Sequence, residues 1–447
     1  MKSYSQHFQS YRKDVSEKAR QYASGLMQAG ARKNLERMCE VVPEAKHRNL
    51  QQFLTHSKWD AREVMDHVAR DTNELLGDEL DASLVIDESG FAKQGPKSVG
   101  VSRQWLGRLG KVDNGQVAVF GVLARDRWVV PVDTRFYLPQ KWVEDVPRCQ
   151  KAGVPETERV FRTKPELALE IIRHAREIGL QFGWTGMDAG YGKNAKFLFE
   201  IEDIGVKFMV DLHCDFMVHL EKPEVKVDRK RGRPARSEKV EVLKEQEKPI
   251  EVGKLIAGLS ETDWQAVSIR DTTRGNLERQ AYSRSVWVKD RETQEIRQYL
   301  VLATRSLNGS DIKYSMTNVA QDTSLQRLAW MQSQRYWVER SFEDGKGECG
   351  MADYQVRKWK AWHHHMALVM MVMLFMLQER MLQKENHPLL SCADIEDLLV
   401  TFLPRRDTDP ADVFARIEAR HRQRLKAIES HRRRNQLLVE NGSGKSK

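Results

Sequence analysis

Asp87 ends the apolar run LVID, Asp188 sits in GMDAGYG, and Glu339 lies between Arg335 and Lys346 in RYWVERSFEDGKGE. Carboxylates gathered in one place hold hard divalent ions. Two such ions about 3.5 to 4 Å apart activate a water or a 3′-hydroxyl and stabilise the leaving oxygen during in-line attack on phosphorus. Magnesium suits these ligands, because its remaining positions go to water and phosphate. At about 100° per residue, a helix sets Arg335 about 40° from Glu339 and Lys346 about 20°, so one face offers an acid flanked by two bases. Gly345 and Gly347 weaken that helix around Lys346. Each residue also has a plainer use. Strand-end aspartates serve turns, Glu343 is a decoy for the third acid, and Arg335 with Glu339 has the spacing of a surface ion pair worth about 0.3 to 0.5 kcal/mol. The acids are 188 − 87 = 101 and 339 − 188 = 151 residues apart, so only a fold can bring them together.

The intervening elements are of the kind that does so. Residues 79–215 read as three strands (ASLVIDESG, GQVAVFGVLA, RWVVPVDTRFYLP), the helix TKPELALEIIRHAREIG, a strand running into DAGYG, the helix NAKFLFEIEDIG and the strand VKFMVDLH. That order describes the first part of an RNase H-like domain, an α+β or α/β core with a mixed sheet that would gather the acids. Residues 216–306 interrupt it as a β-rich insertion. This opens with the basic loop KVDRKRGRPARSEK, whose seven Lys and Arg against two acids give 7 − 2 = +5. The core resumes over 307–385 with the helix that carries Glu339, for which Thr323 and Gln326 have the spacing of a capping box. Residues 1–78 are helical. Within them HRNLQQFLTHSKWDAREVMDHVAR makes two helices joined near Ser57 and Lys58, with Ser57 or Asp60 as cap; it reads equally as a DNA-reading helix-turn-helix or as a bundle packed on the next domain. Residues 386–447 form a basic helical tail with eight Lys or Arg between Asp412 and Asn435, and contact with DNA is its expected use.

Composition agrees with a polyanionic partner. The 447 residues carry 73 Lys and Arg against 64 Asp and Glu, a formal net charge of +9. The five cysteines stand singly, which points to neither a zinc site nor a disulfide framework and fits a reducing, cytoplasmic compartment. The N-terminus lacks the apolar core of a signal peptide. The apolar run from Ala367 to Leu377 is too short for a bilayer span of about 20 residues and reads as a buried helix. His363, His364 and His365 point about 100° apart on that helix and cannot converge on a metal. Arg231 and Arg233 lie in the Arg-Gly-Arg-Pro core of an AT-hook, a segment that lays arginines in a narrow minor groove, and the stretch reads equally as a solvated basic linker; in either case the two arginines are expected to bind DNA electrostatically.

Three long blocks, LVIDESGFAKQGPKSVGVSRQWLGRLGKVDNGQVAV, MDAGYGKN and RYWVERSFEDGKGECGMADYQVRKWKAWHHHMAL, together resemble the DDE transposases of bacterial insertion sequences. The resemblance is to the superfamily with a Tyr, Arg, Glu, Lys signature, and most closely to its IS701 group, over about residues 30 to 380. It implies a metal-binding triad of Asp87, Asp188 and Glu339, with two Mg2+ ions for which Mn2+ can substitute, and places the signature Arg and Lys on Arg335 and Lys346. The signature Tyr falls on Gln332, a departure that Tyr336 does not repair by spacing. The resemblance further implies cut-and-paste movement of double-stranded DNA by a homodimer holding both element ends, and an aromatic residue in the insertion that receives a flipped base, for which Trp264 is the candidate, although a place in the core is the commoner use of such a tryptophan. The rival readings are a domesticated DNA-binding regulator that keeps the fold without chemistry, and a nuclease that cuts without strand transfer.

Overall fold

The computed structural model describes residues 3–442 except 11–12, 31, 224, 228–239, 243–247 and 273–274. Four helices lead: α1 (Ser16–Gln28), α2 (Leu35–Val41), α3 (His47–His56) and α4 (Ala61–Leu76). Asp60 caps α4 by accepting from the Arg62 amide, as its position before an apolar-periodic run predicts. A sheet follows, built first from β1 (Asp78–Ala92), β2 (Ser102–Leu106), β3 (Lys111–Arg125) and β4 (Trp128–Tyr137). Helix α5 (Lys164–Glu177), β5 (Phe182–Met187), α6 (Ala195–Asp203) and β6 (Phe208–Asp211) continue it. The central order is β4-β3-β1-β5-β6. The first three are antiparallel neighbours, and β1, β5 and β6 run parallel, linked by helical crossovers.

The β-rich segment does not stand apart from this sheet. Strands β7 (Gln265–Thr272), β8 (Gly275–Lys289), β9 (Ile296–Arg305) and β10 (Lys313–Thr317) form an antiparallel meander. Its last strand pairs with β6, so the meander extends the same ten-stranded sheet beyond the parallel edge. An exposed parallel edge would leave a row of unpaired amides and carbonyls, and pairing with β10 satisfies it.

Helices α7 (Leu325–Gln334) and α8 (Tyr336–Gly347) follow, separated by a one-residue turn at Arg335. The expected capping box is shifted: Ser324, not Thr323, caps α7 by accepting from the Arg327 amide. Gln326 instead reaches across to β7, accepting from the Ser268 amide at 3.2 Å and donating to the Ser268 carbonyl. A tertiary partner with two backbone groups to offer outcompetes the local cap. Gly345 and Gly347 do not end α8 early, and Lys346 is helical.

Helix α9 (Trp359–Leu382) is apolar on every side, which suits only an element buried all round. Among the described residues it is the one helix long and apolar enough to cross a bilayer, yet most of its apolar stretch is buried within the protein. Helices α1, α3 and α4 pack on it, and one continuous core runs from Tyr4 to Ile395. The turn between α3 and α4 is part of that core: Trp59 stacks on His364 at 3.8 Å. Arg62 bonds Asp133 of β4 at 2.7 Å and Asp66 bonds His174 of α5 at 2.9 Å, which lays α4 flat on the sheet domain. Its outward residues are Glu63, Arg70 and Glu74, a poor face for a phosphate backbone. The helices of this region thus pack on the sheet domain as a bundle does. The chain closes with α10 (Cys392–Phe402), tied back by an ion pair from Lys33 to Glu396, and α11 (Pro410–Gly442), whose Arg420 pairs with Glu36 and Glu40 of α2.

The three histidines serve α9's packing. His364 lies between the carbonyls of Leu54 and Trp59, while His365 meets the Tyr22 hydroxyl at 2.8 Å. Burial pulls His363 and His364 down to about 4 and His365 to about 3. Their ordinary value is 6.5, so the neutral rings contribute stability that is present above pH 6.5 and lost as pH falls toward 4. The melting temperature should therefore drop across that window, and His365→Gln should flatten the slope; a slope unchanged in that variant would remove His365 from the acid sensitivity.

Candidate active site

The acids come together through the parallel register. Ile86 pairs with Met187 at the end of the β1–β5 ladder, so the next residues, Asp87 and Asp188, stand side by side where β5 leaves the sheet. Asp188 caps the short helix Ala189–Gly192, accepting from the Gly190 and Tyr191 amides; both bonds fall on Oδ1, which leaves Oδ2 for another partner. The turn chemistry and the site chemistry thus coexist in one side chain. Asp211 ends β6, the third parallel strand, and joins the same group. Open sheets place ligands outside the carboxyl ends of their parallel strands, and these three aspartates occupy that edge.

Helix α8 supplies the fourth carboxylate. Phe120 is the cross-strand partner of Asp87 and faces the same side, and Phe342 of α8 packs edge-on against it with centroids 5.3 Å apart. With Val338 fully buried beneath it, the helix has one seating, and Glu339 and Arg335 then face the aspartates. Arg335 Nε donates to Asp211 Oδ2 at 2.9 Å, Nη2 lies 3.2 Å from Glu339 Oε1, and Nη1 lies 3.8 Å from Asp87 Oδ2. Lys346 lies two turns on, with Nζ 5.5 Å from the centre of the Phe91 ring and 5.8 Å from that of Phe342. Glu343 turns to Arg340 at 2.6 Å instead, which removes it as the third acid.

Burial, and then the neighbouring charge of Asp188, push the Asp87 carboxyl up to about 7, with Arg335 opposing the rise. Burial likewise raises Asp211, again against Arg335. Burial works against the charged form of Arg335 as well, but Asp211, Asp87 and Glu339 outweigh it and raise its pKa. An arginine here occupies the place of a counter-ion among carboxylates that otherwise repel.

Asp188, Asp211, Arg335 and Glu339 line one cleft of about 590 Å³, which also takes in Arg270, Arg279 and Lys313 from the sheet extension. Among the described residues no three acidic, histidine or cysteine side chains converge closely enough to hold one ion together. The donor set nevertheless fits a hard divalent cation: Asp87 and Asp188 side by side, with the charge of Asp188 raising the Asp87 carboxyl, and a third carboxylate, Glu339, whose side chain is 54% exposed.

The sequence did not single out Asp211, Arg270, Arg279 or Lys313. For Asp211 a signal existed, since FMVD repeats the pattern of LVID and TGMD, an apolar strand ending in an acid. Gln332, which replaces the signature Tyr, is buried. It accepts from Thr304 Oγ1 at 2.5 Å and donates to Ser315 Oγ at 2.8 Å, and Ser315 in turn donates to Asp211 Oδ1 at 2.8 Å. Its amide supports the aspartate that holds Arg335. Trp264 lies elsewhere: the residue is 8% exposed, belongs to the core and packs beneath Arg305 at 4.2 Å, so it presents no face to a flipped base. Arg231 and Arg233 lie outside the described residues.

A family model described as DDE superfamily endonuclease matches residues 4–276, a stretch that includes Asp87, Asp188 and Asp211 and ends before α8. The chain is 30% identical over 193 residues to a protein of Microchaete diplosiphon described as "Probable transposase for insertion sequence element IS701"; the match covers 42% of this chain and 47% of that one. The chain thus spans about half the length of that relative. Among solved structures, the NurA nuclease from Sulfolobus solfataricus aligns over 63% of this chain and 86% of its own at 11% identity, with a TM-score of 0.26.

The Asp87 carboxyl yields a sign-definite test on metal-free protein. A carboxyl raised from 3.8 to about 7 contributes stability that is present below pH 3.8 and lost as pH rises through 7. Asp87→Asn should therefore melt several degrees above the wild type at pH 8 and close to it at pH 4, and magnesium added at pH 8 should narrow the gap from the wild-type side. Equal melting temperatures at pH 8 would mean that the charge repulsion is not there.

Proposed function

The chain belongs to the DDE superfamily endonucleases, and from that premise we propose that it is a cut-and-paste DNA transposase working on an RNase H-like core. It binds the terminal inverted repeats of an insertion sequence, cleaves at the element ends and joins the 3′-hydroxyls to target DNA. The observation that carries the reading is the single cleft onto which Asp188, Glu339 and Arg335 open, with Asp87 beside them. The strand order β4-β3-β1-β5-β6 with its helical crossovers supports the core assignment.

Asp87, Asp188 and Glu339 are the residues that hold two Mg2+ ions, or Mn2+ in their place. When bound there, the metal supplies Lewis-acid activation of the attacking oxygen and charge stabilisation of the leaving one. Arg335 exchanges its carboxylate partners for phosphate oxygens, to which its fork of donors is well matched. Asp211 keeps hold of Nε during that exchange, so the guanidinium pivots without leaving the cleft. Lys346, about 10 Å further along α8, extends the positive face past the reacting phosphate. The partner is double-stranded DNA, and a homodimer holding two ends is the assembly that paired joining needs.

Asp188→Asn preserves the helix cap, because asparagine caps as well as aspartate, but removes a charge from the pair. The variant should bind element-end DNA as the wild type does and neither nick nor join it. Retained nicking would sink the mechanism. Supplying pre-cut ends with magnesium and looking for joined product separates a transposase from a nuclease without strand transfer.

A further inference from the structure

We infer that Arg270 of β7 is a phosphate-binding residue of this cleft, taking a phosphodiester of the DNA strand through its guanidinium. The inference rests on the transposase reading for the identity of the polyanion. The geometry stands independently of it.

The cleft contains four cations, and the two other arginines are each paired with carboxylates. Arg335 is shared among Asp211, Asp87 and Glu339, and Arg279 pairs with Asp311 at 2.9 Å. Arg270 has no carboxylate partner among the described residues. Its Nε and Nη1 are buried and make no hydrogen bond. Buried donors are almost always satisfied, so two on one guanidinium mark a place where a partner is missing.

The side chain is held for this purpose. Its guanidinium carbon lies 4.5 Å from the ring centre of Tyr336 and 4.4 Å from that of Trp337, on the first turn of the helix that carries Glu339. Aromatic faces fix a guanidinium without neutralising it. A register shift in the β7–β8 ladder between Ser268 and Arg270 marks a bulge at Ile269. In a regular strand Ile269 and Arg270 would point to opposite faces, yet both line the cleft. Gln326 of α7 pins the bulge through the amide and carbonyl of Ser268. The cleft therefore presents carboxylates together with a cation that no carboxylate answers, which is what a metal-loaded site gripping a phosphate chain requires.

The test uses the full chain carrying Asp188→Asn, so that DNA stays intact, and a short fluorescein-labelled duplex titrated at several salt concentrations. Adding Arg270→Ala should weaken binding about tenfold or more. The slope of log affinity against log salt should fall by about 0.9, the share of one phosphate contact. Arg270→Lys should restore the slope but not the full affinity, since it keeps the charge and loses the fork. Unchanged affinity and slope in Arg270→Ala, or a slope that lysine does not restore, overturns the inference. Should the alanine variant fail to fold, Arg270→Gln, which keeps a planar amide over the rings, takes its place under the same criteria. If the wild type never cuts or joins ends but Arg270→Ala loses the duplex contact, the transposase reading fails and this one stands. If the wild type cuts and Arg270→Ala binds normally, only this one fails.

Discussion

Like charges gathered at one edge of a sheet repel, and that repulsion is the constraint under which the rest of this structure is arranged. Three parallel strands each bring an aspartate to the same edge, Asp87, Asp188 and Asp211, and burial raises Asp87 and Asp211 further. A single guanidinium, Arg335, lies among them, and its three nitrogens divide between Asp211, Glu339 and Asp87. Remove it and the carboxylates must take up protons or move apart.

Such a balance needs rigid supports, and each has a physical origin elsewhere in the fold. Helix α8 is seated by Phe342 on Phe120 and by buried Val338, so its first turn cannot slide without opening the core. Asp211 is braced through Ser315, Gln332 and Thr304, a chain of hydrogen bonds from the sheet extension to the site. Gln332 is the middle of that chain, and its amide orients the carboxylate through Ser315. The sheet extension contributes twice more, by covering the exposed edge of β6 and by delivering Arg270, Arg279 and Lys313 to the cleft.

Two expectations gave way for one reason, competition from tertiary partners. Gln326 has the spacing of a capping-box residue, but the backbone of Ser268 offers it a donor and an acceptor at once. Trp264 has the chemistry to stack on a base, but Arg305 and the core already cover its ring. The first was assigned from local pattern and the second from a family resemblance, and neither reveals what will fold against a side chain.

Periodicity and residue type made the elements of the central sheet legible, together with the acids at Asp87, Asp188 and Glu339 and the pairing of Arg335 with Glu339. These depend on short-range rules: apolar alternation, strand-ending acids and the four-residue repeat of a helix. Legible too was the burial of α9, since a helix apolar on all sides has no other place. Only the tertiary structure decided that Asp211 is a member of the acid group, that the β-rich segment extends the same sheet, and that a bulge at Ile269 turns Arg270 into the cleft. Each of these depends on strand register and on contacts between residues 50 or more positions apart, such as Asp211 with Arg335. A one-residue change of register reverses which face a side chain takes, and the chain order carries no record of that choice.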